Sequence, residues 1–462
     1  MKRLVLERTD GHHAYRRGVL ILSGGKSSRM GQSKADLPWK QGTMLTDLLE
    51  RARLAEPSDI VVSTNTPLDL RTLQGDLFES HPLSDRKGHK KLCERELASI
   101  EPDTTHCLQW VPPEGEPVTI FVVTDKGGSH GPLSGIVSGL EEGRSEVYLA
   151  VSIDMPFFEN FDFATTSHML DRLDEAPFDC VVPTLHGRIE PMGALYSKRC
   201  IEPIKALLKA EEYHVRALFE RVKTEYIAVD DLALDYKNIN TPLDYKVAQA
   251  KELNRGRKVP LISVCAKESK IGKTTISAAL IKALTDKGFE MGYVKSDGHG
   301  FTMDREGSDT FQASQAGAKA VAISGPHSYA MLVKHNKKKD IASLAENLSV
   351  DLVVLETRSR GVLPIIEVVP NFKSITSSTD DKGENPITSV SPIAAEKITV
   401  SESATTFEKN VSSESPINEQ DVIAVVSMSD EPLPVEKGLR TTRYFTKSQV
   451  TELANWLCED VL

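Results

Sequence analysis

Short apolar runs alternate along this chain with longer stretches in which apolar residues recur at helical spacing. Gly18–Leu22, Ile60–Ser63, Thr119–Val123, Val147–Val151 and Cys180–Pro183 are runs of this kind, bounded by small or polar residues. Runs so brief and so continuous read as strands buried on both faces, as in a parallel sheet. Leu45–Leu54, Leu133–Glu142 and Glu202–Lys209 carry the helical pattern between them. Strand and helix in strict alternation predict an α/β, doubly wound (Rossmann-like) fold. The alternation starts afresh at Val259–Val264 and continues with strands at Gly292–Lys295, Ala320–Ser324 and Asp351–Leu355. The polar, basic stretch Lys246–Lys258 separates the two series and marks a domain boundary. The pattern therefore predicts an N-terminal extension over 1–17, a first domain over 18–250 and a second over 251–462.

Ser374–Pro416 interrupts the second domain. It is rich in Ser, Thr, Glu, Pro and Asn and poor in aromatics. Such a stretch cannot bury enough apolar surface to offset its ordering entropy, which predicts a disordered insertion at about 374–416. The run Val422–Val426 and a helix ending near Trp456–Leu457 then return the chain to the second sheet.

Two strand-to-helix junctions share one grammar, a small-residue loop of phosphate size. The first is Leu22-Ser23-Gly24-Gly25 followed by KSSRMGQSK, ending at Lys34. Glycines at such a turn let a nucleotide approach backbone N–H groups. Arg29 and Lys34 would then stand near a polyphosphate, with Gly31 turning the chain between them. Displacement at an α-phosphate builds charge on phosphoryl oxygens and on departing pyrophosphate, and fixed cations offset it. The Gly-Gly pair by itself is equally an ordinary turn. The second junction, CAKESKIGKTT, ends in Gly272-Lys273-Thr274-Thr275. Its close matches the end of a Gly-x-x-x-x-Gly-Lys-Thr loop, in which the lysine reaches phosphates and Thr274 a Mg²⁺ ion. Lys267 and Lys270 stand where such loops often carry glycine. In the strand Asp351–Glu356, either Asp351 or Glu356 would approach that metal.

Composition narrows the field. The 462 residues carry a formal net charge of −10, which argues against broad nucleic-acid binding. The six cysteines form no CxxC pair and the twelve histidines no metal-ligand cluster, so neither a zinc site nor a disulfide scaffold is expected. The polar opening MKRLVLERTDGHHAYRRG and the short run after it fit no signal peptide or membrane span. A cytoplasmic protein, with no membrane and no nucleic-acid partner, is the expectation.

The string LSGGKSSRMGQSKADLP resembles the L-A-G-G-x-S-x-R-M-G-x-x-K signature of molybdenum cofactor guanylyltransferases, the MobA family, with Ser23 in place of Ala. The resemblance implies GTP as substrate, since a second glycine goes with guanine in that family. It implies nucleotide contacts from Asn65 and Asp125 and a metal-binding role for Asp154 in Asp154-Met155-Pro156. One or two strand-end aspartates plus a triphosphate suffice for Mg²⁺. Asn65 is equally a turn former on its local sequence. Glu190–Leu195, Arg216 and the Asn238–Pro242 turn also match, with Asn238 and Asn240 read as structural or cleft residues. The stretch 66–117 is longer than in the family and would be a surface insertion or a lid.

The second half resembles the MobB family, through GKTT, Lys295, Asp297, His299, Asp304–Thr310 and Ala316-Gly317-Ala318. The acid Glu356 is followed by Thr357-Arg358-Ser359 where that family has Gly-Phe-Lys. The departure bears on hydrolysis more than on GTP binding. The alternative for this half is a scaffold that docks on a partner.

Together the resemblances imply transfer of GMP from GTP to molybdenum-molybdopterin, with pyrophosphate released. Lys34, Arg29 and Asp154 would carry the catalysis. The P-loop half would assist assembly or delivery to molybdoenzymes, their chaperones or the molybdenum-insertion protein. The alternatives are a nucleotidylyltransferase using CTP or a sugar phosphate, and a GTP-binding adaptor without transferase activity.

Overall fold

The computed structural model describes residues 16–24, 30, 33–79, 90–102, 104–125, 131–159, 178–297, 300–336, 340–357, 364–370, 422–430 and 442–462. The chain divides into two compact units, Met1–Thr241 and Pro242–Leu462.

The principal strands of the first unit are β1 (Arg17–Leu22), β2 (Asp59–Thr64), β3 (His106–Val111), β4 (Val118–Thr124), β5 (Val147–Ser152), β6 (Cys180–Leu185) and β7 (Ala194–Ser197). Four of them, in the order β5-β1-β2-β4, run parallel at the centre of the sheet. Ile21 lies opposite Val62 on one side and Val151 on the other. All six residues of β2 are buried, which is why its sequence reads as one apolar run instead of alternating. Chain direction across the sheet reverses between the β1-to-β2 and β4-to-β5 crossovers. Right-handed connections therefore place α1 (Met44–Leu54) and α2 (Pro132–Glu142) on opposite faces. Leu133, Ile136 and Leu140 of α2 share a core with Leu20, Val61 and Tyr148, joined by Ile204 and Leu207 of α3 (Ile201–Lys209). The start of α1 is set by Thr43, whose hydroxyl accepts from the Thr46 N–H.

Antiparallel strands extend the parallel centre on both sides, β7 beside β5 and β3 beside β4, to make an eleven-stranded sheet among the described residues. The stretch 66–117, open between surface insertion and lid, supplies β3 and its neighbour Asp76–Glu79. Trp110 of β3 is fully buried and donates its indole N–H to the Gln74 carbonyl at 2.8 Å. Leu68, Leu70 and Ile100 are buried with it. The described part of this stretch is thus sheet edge and packed support. Residues 80–89 lie outside the described residues.

The second unit holds β8 (Leu261–Cys265), β9 (Met291–Lys295), β10 (Leu352–Glu356), β11 (Ile365–Val369), β12 (Val422–Ser427) and β13 (Arg443–Thr446). They pair in the order β9-β10-β8-β11-β12-β13, all parallel. Helices α4 (Pro242–Arg255), α5 (Lys273–Thr285) and α6 (Val450–Trp456) pack on this sheet through one core that includes Val247, Ala250, Ile276, Leu280 and Leu453.

That core corrects the expected boundary at 250/251. Lys246–Lys258 reads as a polar linker, yet Asn254 hydrogen-bonds both the carbonyl and the N–H of Leu261 at 3.2 Å. The whole of α4 therefore belongs to the second unit. Its buried face is narrow and partly alanine, so the sequence looks polar throughout. Ala320–Ser324 is a strand, but it pairs with Tyr329–Val333 in a separate two-stranded ribbon and not with the main sheet. Residues 1–15 of the expected extension over 1–17 and the insertion at about 374–416 fall outside the described residues.

Candidate nucleotide sites

In the first unit the backbone ladder runs on past the strand ends. The Ser23 N–H donates to the Ser63 carbonyl at 2.8 Å, Ile153 N–H to Leu22 at 3.0 Å, and Asp125 N–H to Thr64 at 3.1 Å. These bonds fix where Gly24, Asp125 and Asp154 leave the sheet, all at the carboxyl ends of strands in its parallel centre. That edge is where open α/β sheets bind ligands.

Gly24 stands between two of the expected contacts. A Cβ placed there would lie 3.4 Å from Asp125 Oδ2 and 3.7 Å from Asn65 Nδ2. Asp125 is buried and Asn65 exposed. Leu22 is buried behind them. The hydroxyls of Ser23 and Ser63 are buried and meet no hydrogen-bond partner among the described residues. Ser63 carries no signal in the sequence, because it reads there as one more small strand residue. Gly25 and Arg29 lie outside the described residues.

Lys34 is held on the other side of β1. Its Nζ lies 2.9 Å from Asp154 Oδ2, with the two side chains 16% and 19% exposed. The same ammonium donates to Asn240 Oδ1 at 3.3 Å. Next to it, the Ile239 N–H donates to the Asp154 carbonyl at 2.8 Å. The Asn238–Thr241 segment therefore grips both members of the pair, a role beyond a passive turn. Asp125 and Asp154 do not come together. Strands β1 and β2 lie between β4 and β5, so the two acids leave the sheet at strand ends about 14 Å apart by strand spacing.

Glu190–Leu195 runs beside β5, where the Gly193 N–H donates to Ala150 at 2.7 Å. Burial pushes the Glu190 carboxyl up, against the opposing charges of Arg188 and Arg216. Arg216 thus sits by the same segment.

In the second unit the loop after β8 ends at Gly272, in the left-handed region with φ of 114°. Lys270 is also left-handed, at φ 64°, which explains why glycine is common at that loop position. Lys273 Nζ donates to the Glu268 carbonyl of its own loop at 3.3 Å. Thr274 donates to Glu356 Oε1 at 2.9 Å, and the Tyr293 hydroxyl donates to Oε2 at 2.7 Å. Lys295 Nζ lies 3.4 Å from Oε1. Burial raises the Glu356 carboxyl, but the two hydroxyls and Lys295 outweigh it and hold the group below its ordinary range. Thr275 is exposed in the first turn of α5. Asp351 instead accepts from the Glu290 N–H at the far end of β10, so Glu356 is the acid at the loop. Asp304 accepts from the Ser308 and Thr310 hydroxyls at the start of a helix that Ser308 itself caps. His299, Arg358 and Ser359 lie outside the described residues.

Among the described residues no group of three His, Cys, Asp or Glu side chains could hold a metal ion. No helix among them is long and apolar enough to cross a membrane.

A glycine loop, strand-end carboxylates and a lysine–aspartate pair on the carboxyl edge of a doubly wound sheet define the nucleotidyltransferase class. Residues 19–226 match the family model described as MobA-like NTP transferase domain. Residues 261–390 match the model described as molybdopterin guanine dinucleotide synthesis protein B. A probable molybdenum cofactor guanylyltransferase of Bacillus thuringiensis (strain Al Hakam) is 30% identical over 233 residues, which is 50% of this chain and 94% of the relative. One from Bacillus mycoides (strain KBAB4) is 28% identical over the same shares. Through its first half the chain belongs to the molybdenum cofactor guanylyltransferase family, and its second half is similar to MobB over residues 261–390. Among solved structures, molybdopterin-guanine dinucleotide biosynthesis protein A of Archaeoglobus fulgidus aligns at TM-score 0.34 and 19% identity, covering 50% of this chain and 96% of its own. Bacillus subtilis MobB aligns at TM-score 0.28 and 13% identity, covering 44% and 98%.

Proposed function

We propose that the first unit transfers GMP from GTP to molybdenum-molybdopterin, releasing pyrophosphate and forming the guanine dinucleotide cofactor. The observation that carries this reading is the Lys34–Asp154–Asn240 constellation at the carboxyl end of β5. A terminal phosphate oxygen of the pterin forms a bond to the GTP α-phosphorus as the bond to pyrophosphate breaks. The attacking oxygen is already an anion, so no general base is needed, and catalysis comes from position and charge.

The donor set fits one Mg²⁺ ion. Asp154 offers a hard carboxylate oxygen, and triphosphate and water complete the shell. The ion would offset charge on the phosphates. Lys34, released from Asp154, then reaches phosphate oxygens while Asn240 keeps its ammonium from swinging clear. Arg29 is the second cation. Gly24 and Gly25, with Asn65 and Asp125, receive the nucleoside end, and the glycine pair selects guanine.

The transferase domain spans the first unit from about residue 18, and the second begins at Pro242 with α4. The second binds GTP through Gly272, Lys273, Thr274 and Thr275, with Thr274 at a Mg²⁺ ion. It assists cofactor assembly or hands the product to molybdoenzymes or their chaperones, in the cytoplasm.

The test incubates the full chain with Mg²⁺, molybdenum-loaded molybdopterin and GTP or CTP, and follows pyrophosphate and dinucleotide product. Product from GTP alone, lost in Asp154→Ala or Lys34→Ala, is the expected result. Product from CTP would overturn the base assignment. No product from either nucleotide, with GTP still bound, would leave an adaptor.

A further inference from the structure

Lys34 and Asp154 lie 120 residues apart in sequence and 2.9 Å apart in space, so their separation depends on what holds both segments. Helix α1 touches both. Its first N–H groups have no partners inside the helix. The Met44 N–H donates to the Leu37 carbonyl at 2.9 Å and the Leu45 N–H to the Ala35 carbonyl at 3.2 Å. The Leu37 N–H in turn donates to the Lys34 carbonyl at 3.3 Å. The start of α1 thus seats the backbone that carries Lys34.

Asp154 opens the turn that follows β5. The Met155 N–H donates to the Ser152 carbonyl at 3.1 Å and the Phe158 N–H to the Met155 carbonyl at 3.2 Å. Met155, Phe157 and Phe158 are buried. Phe157 meets the edge of Trp39, from the Lys34 side, with ring centroids 5.8 Å apart. At the far end of the turn the Phe158 carbonyl accepts from the guanidinium of Arg51. Arg51 lies two turns along α1 from Met44. Helical side chains lean toward the helix N-terminus. Because α1 connects two parallel strands, that end lies at the carboxyl edge of the sheet, and the lean carries Arg51 toward the Asp154 turn. Its Nε lies 2.8 Å from Asp47 Oδ2, and its side chain is 14% exposed. Lys40 Nζ lies 3.4 Å from Asp47 Oδ1, so Asp47 keeps a cation when Arg51 is replaced.

We propose that Arg51 is a positioning residue for nucleotidyl transfer: by holding the Phe158 carbonyl against α1, it sets where Asp154 stands relative to Lys34. The proposal rests on the reading of the first unit as a transferase. Arg51 acts through the turn, from four residues beyond Asp154. A misplacement on the order of 1 Å at reacting groups costs about 10²-fold in rate, so such a tether is felt at kcat.

The test compares the full chain with Arg51→Met, which keeps an unbranched apolar stem, and Arg51→Lys, which keeps a donor for the carbonyl. One readout needs no catalysis: the rate at which an amine-reactive ester acylates Lys34, followed by mass spectrometry against the other lysines. An ammonium paired with a sheltered carboxylate reacts slowly, and Asp154→Asn gives the rate of the unpaired group. Arg51→Met should raise Lys34 labelling severalfold, toward the Asp154→Asn rate, with Lys198 and Lys205 unchanged. The other readout is pyrophosphate release, where kcat should fall about tenfold and KM for GTP should move less. Arg51→Lys should recover part of both. If Arg51→Met labels at every lysine its fold is lost, and Arg51→Gln, whose amide falls short of the carbonyl, is read in its place. Lys34 labelling at the wild-type rate, or faster labelling with kcat unchanged, would overturn the positioning role. A lower melting temperature with both readouts at wild-type values would make Arg51 a structural brace and overturn it equally. A wild-type chain that releases no pyrophosphate would overturn the transferase reading instead, while the labelling still reports whether Arg51 holds the pair.

Discussion

The two loops of this chain follow the same rule of position and spend their lysines differently. Both leave the first strand of their unit's parallel sheet at its carboxyl end. In the second unit Lys273 folds onto its own loop, at the Glu268 carbonyl, and Thr274 tethers the loop to Glu356 on the next strand. That loop is closed on itself and suited to wrapping phosphates. In the first unit Lys34 crosses to Asp154, at the end of β5, and to Asn240 from a distant segment. On the function proposed above, the cation that meets the phosphates is thus held by groups outside its own loop.

The sharpest break in the comparison is at Lys34 and Asp154. Lys34→Ala or Asp154→Asn should lower the rate of pyrophosphate release by about 10²–10³-fold, the usual cost of a lost charge-stabilising group. The pair is largely sheltered, its side chains 16% and 19% exposed, so removal of one partner should also lower the melting temperature. An unchanged rate in a variant that melts earlier would show the pair to be structural.

Asn240→Ala should have a smaller effect, about tenfold on kcat, through loss of one hydrogen bond to a charged group. KM for GTP should move less than kcat if Asn240 acts by aiming Lys34. Equal effects on both would place it in binding instead.

In the second unit Gly272→Ala sharpens the contrast, because it strains a closed loop. Alanine at φ 114° is disfavoured by about 1–2 kcal/mol. The contact with Met428 adds little, as a flexible thioether can move aside. Differential scanning of the full chain should show the second unit's transition lowered and the first unit's kept.

The smallest expected effect concerns pH. Glu356 titrates lower in the folded chain than its ordinary 4.5. A depressed carboxylate contributes stability that is full above the unfolded value and lost as pH falls through the folded one. Below about pH 4.5 the wild-type second unit should therefore lose stability more steeply than Glu356→Gln. Parallel acid profiles would show that Tyr293, Thr274 and Lys295 do not favour the ionised form.

Much of this could be read in one dimension. A strand buried on both faces is apolar through its middle, so β1, β2, β4 and β5 announce themselves as runs. A loop that admits phosphate must be small and turn sharply, so Gly24 and Gly272 stand out. Helix α4 hid because its core face is only a few positions wide, with Ala250 among them. The partnership of Lys34 with Asn240 spans 206 residues, and no local pattern encodes such a distance.

What the sequence determined by itself was therefore what has a strong short period or a local steric demand: the central strands, the more strongly patterned helices and the two glycine loops. Tertiary structure decided what depends on strand order. It parted Asp125 from Asp154 by inserting β1 and β2 between them, chose Glu356 over Asp351 by strand polarity, and set the turn after β5 within reach of Arg51 on α1. Strand order is set by which faces can be buried together over the whole sheet, a property of the packed chain and of no segment within it.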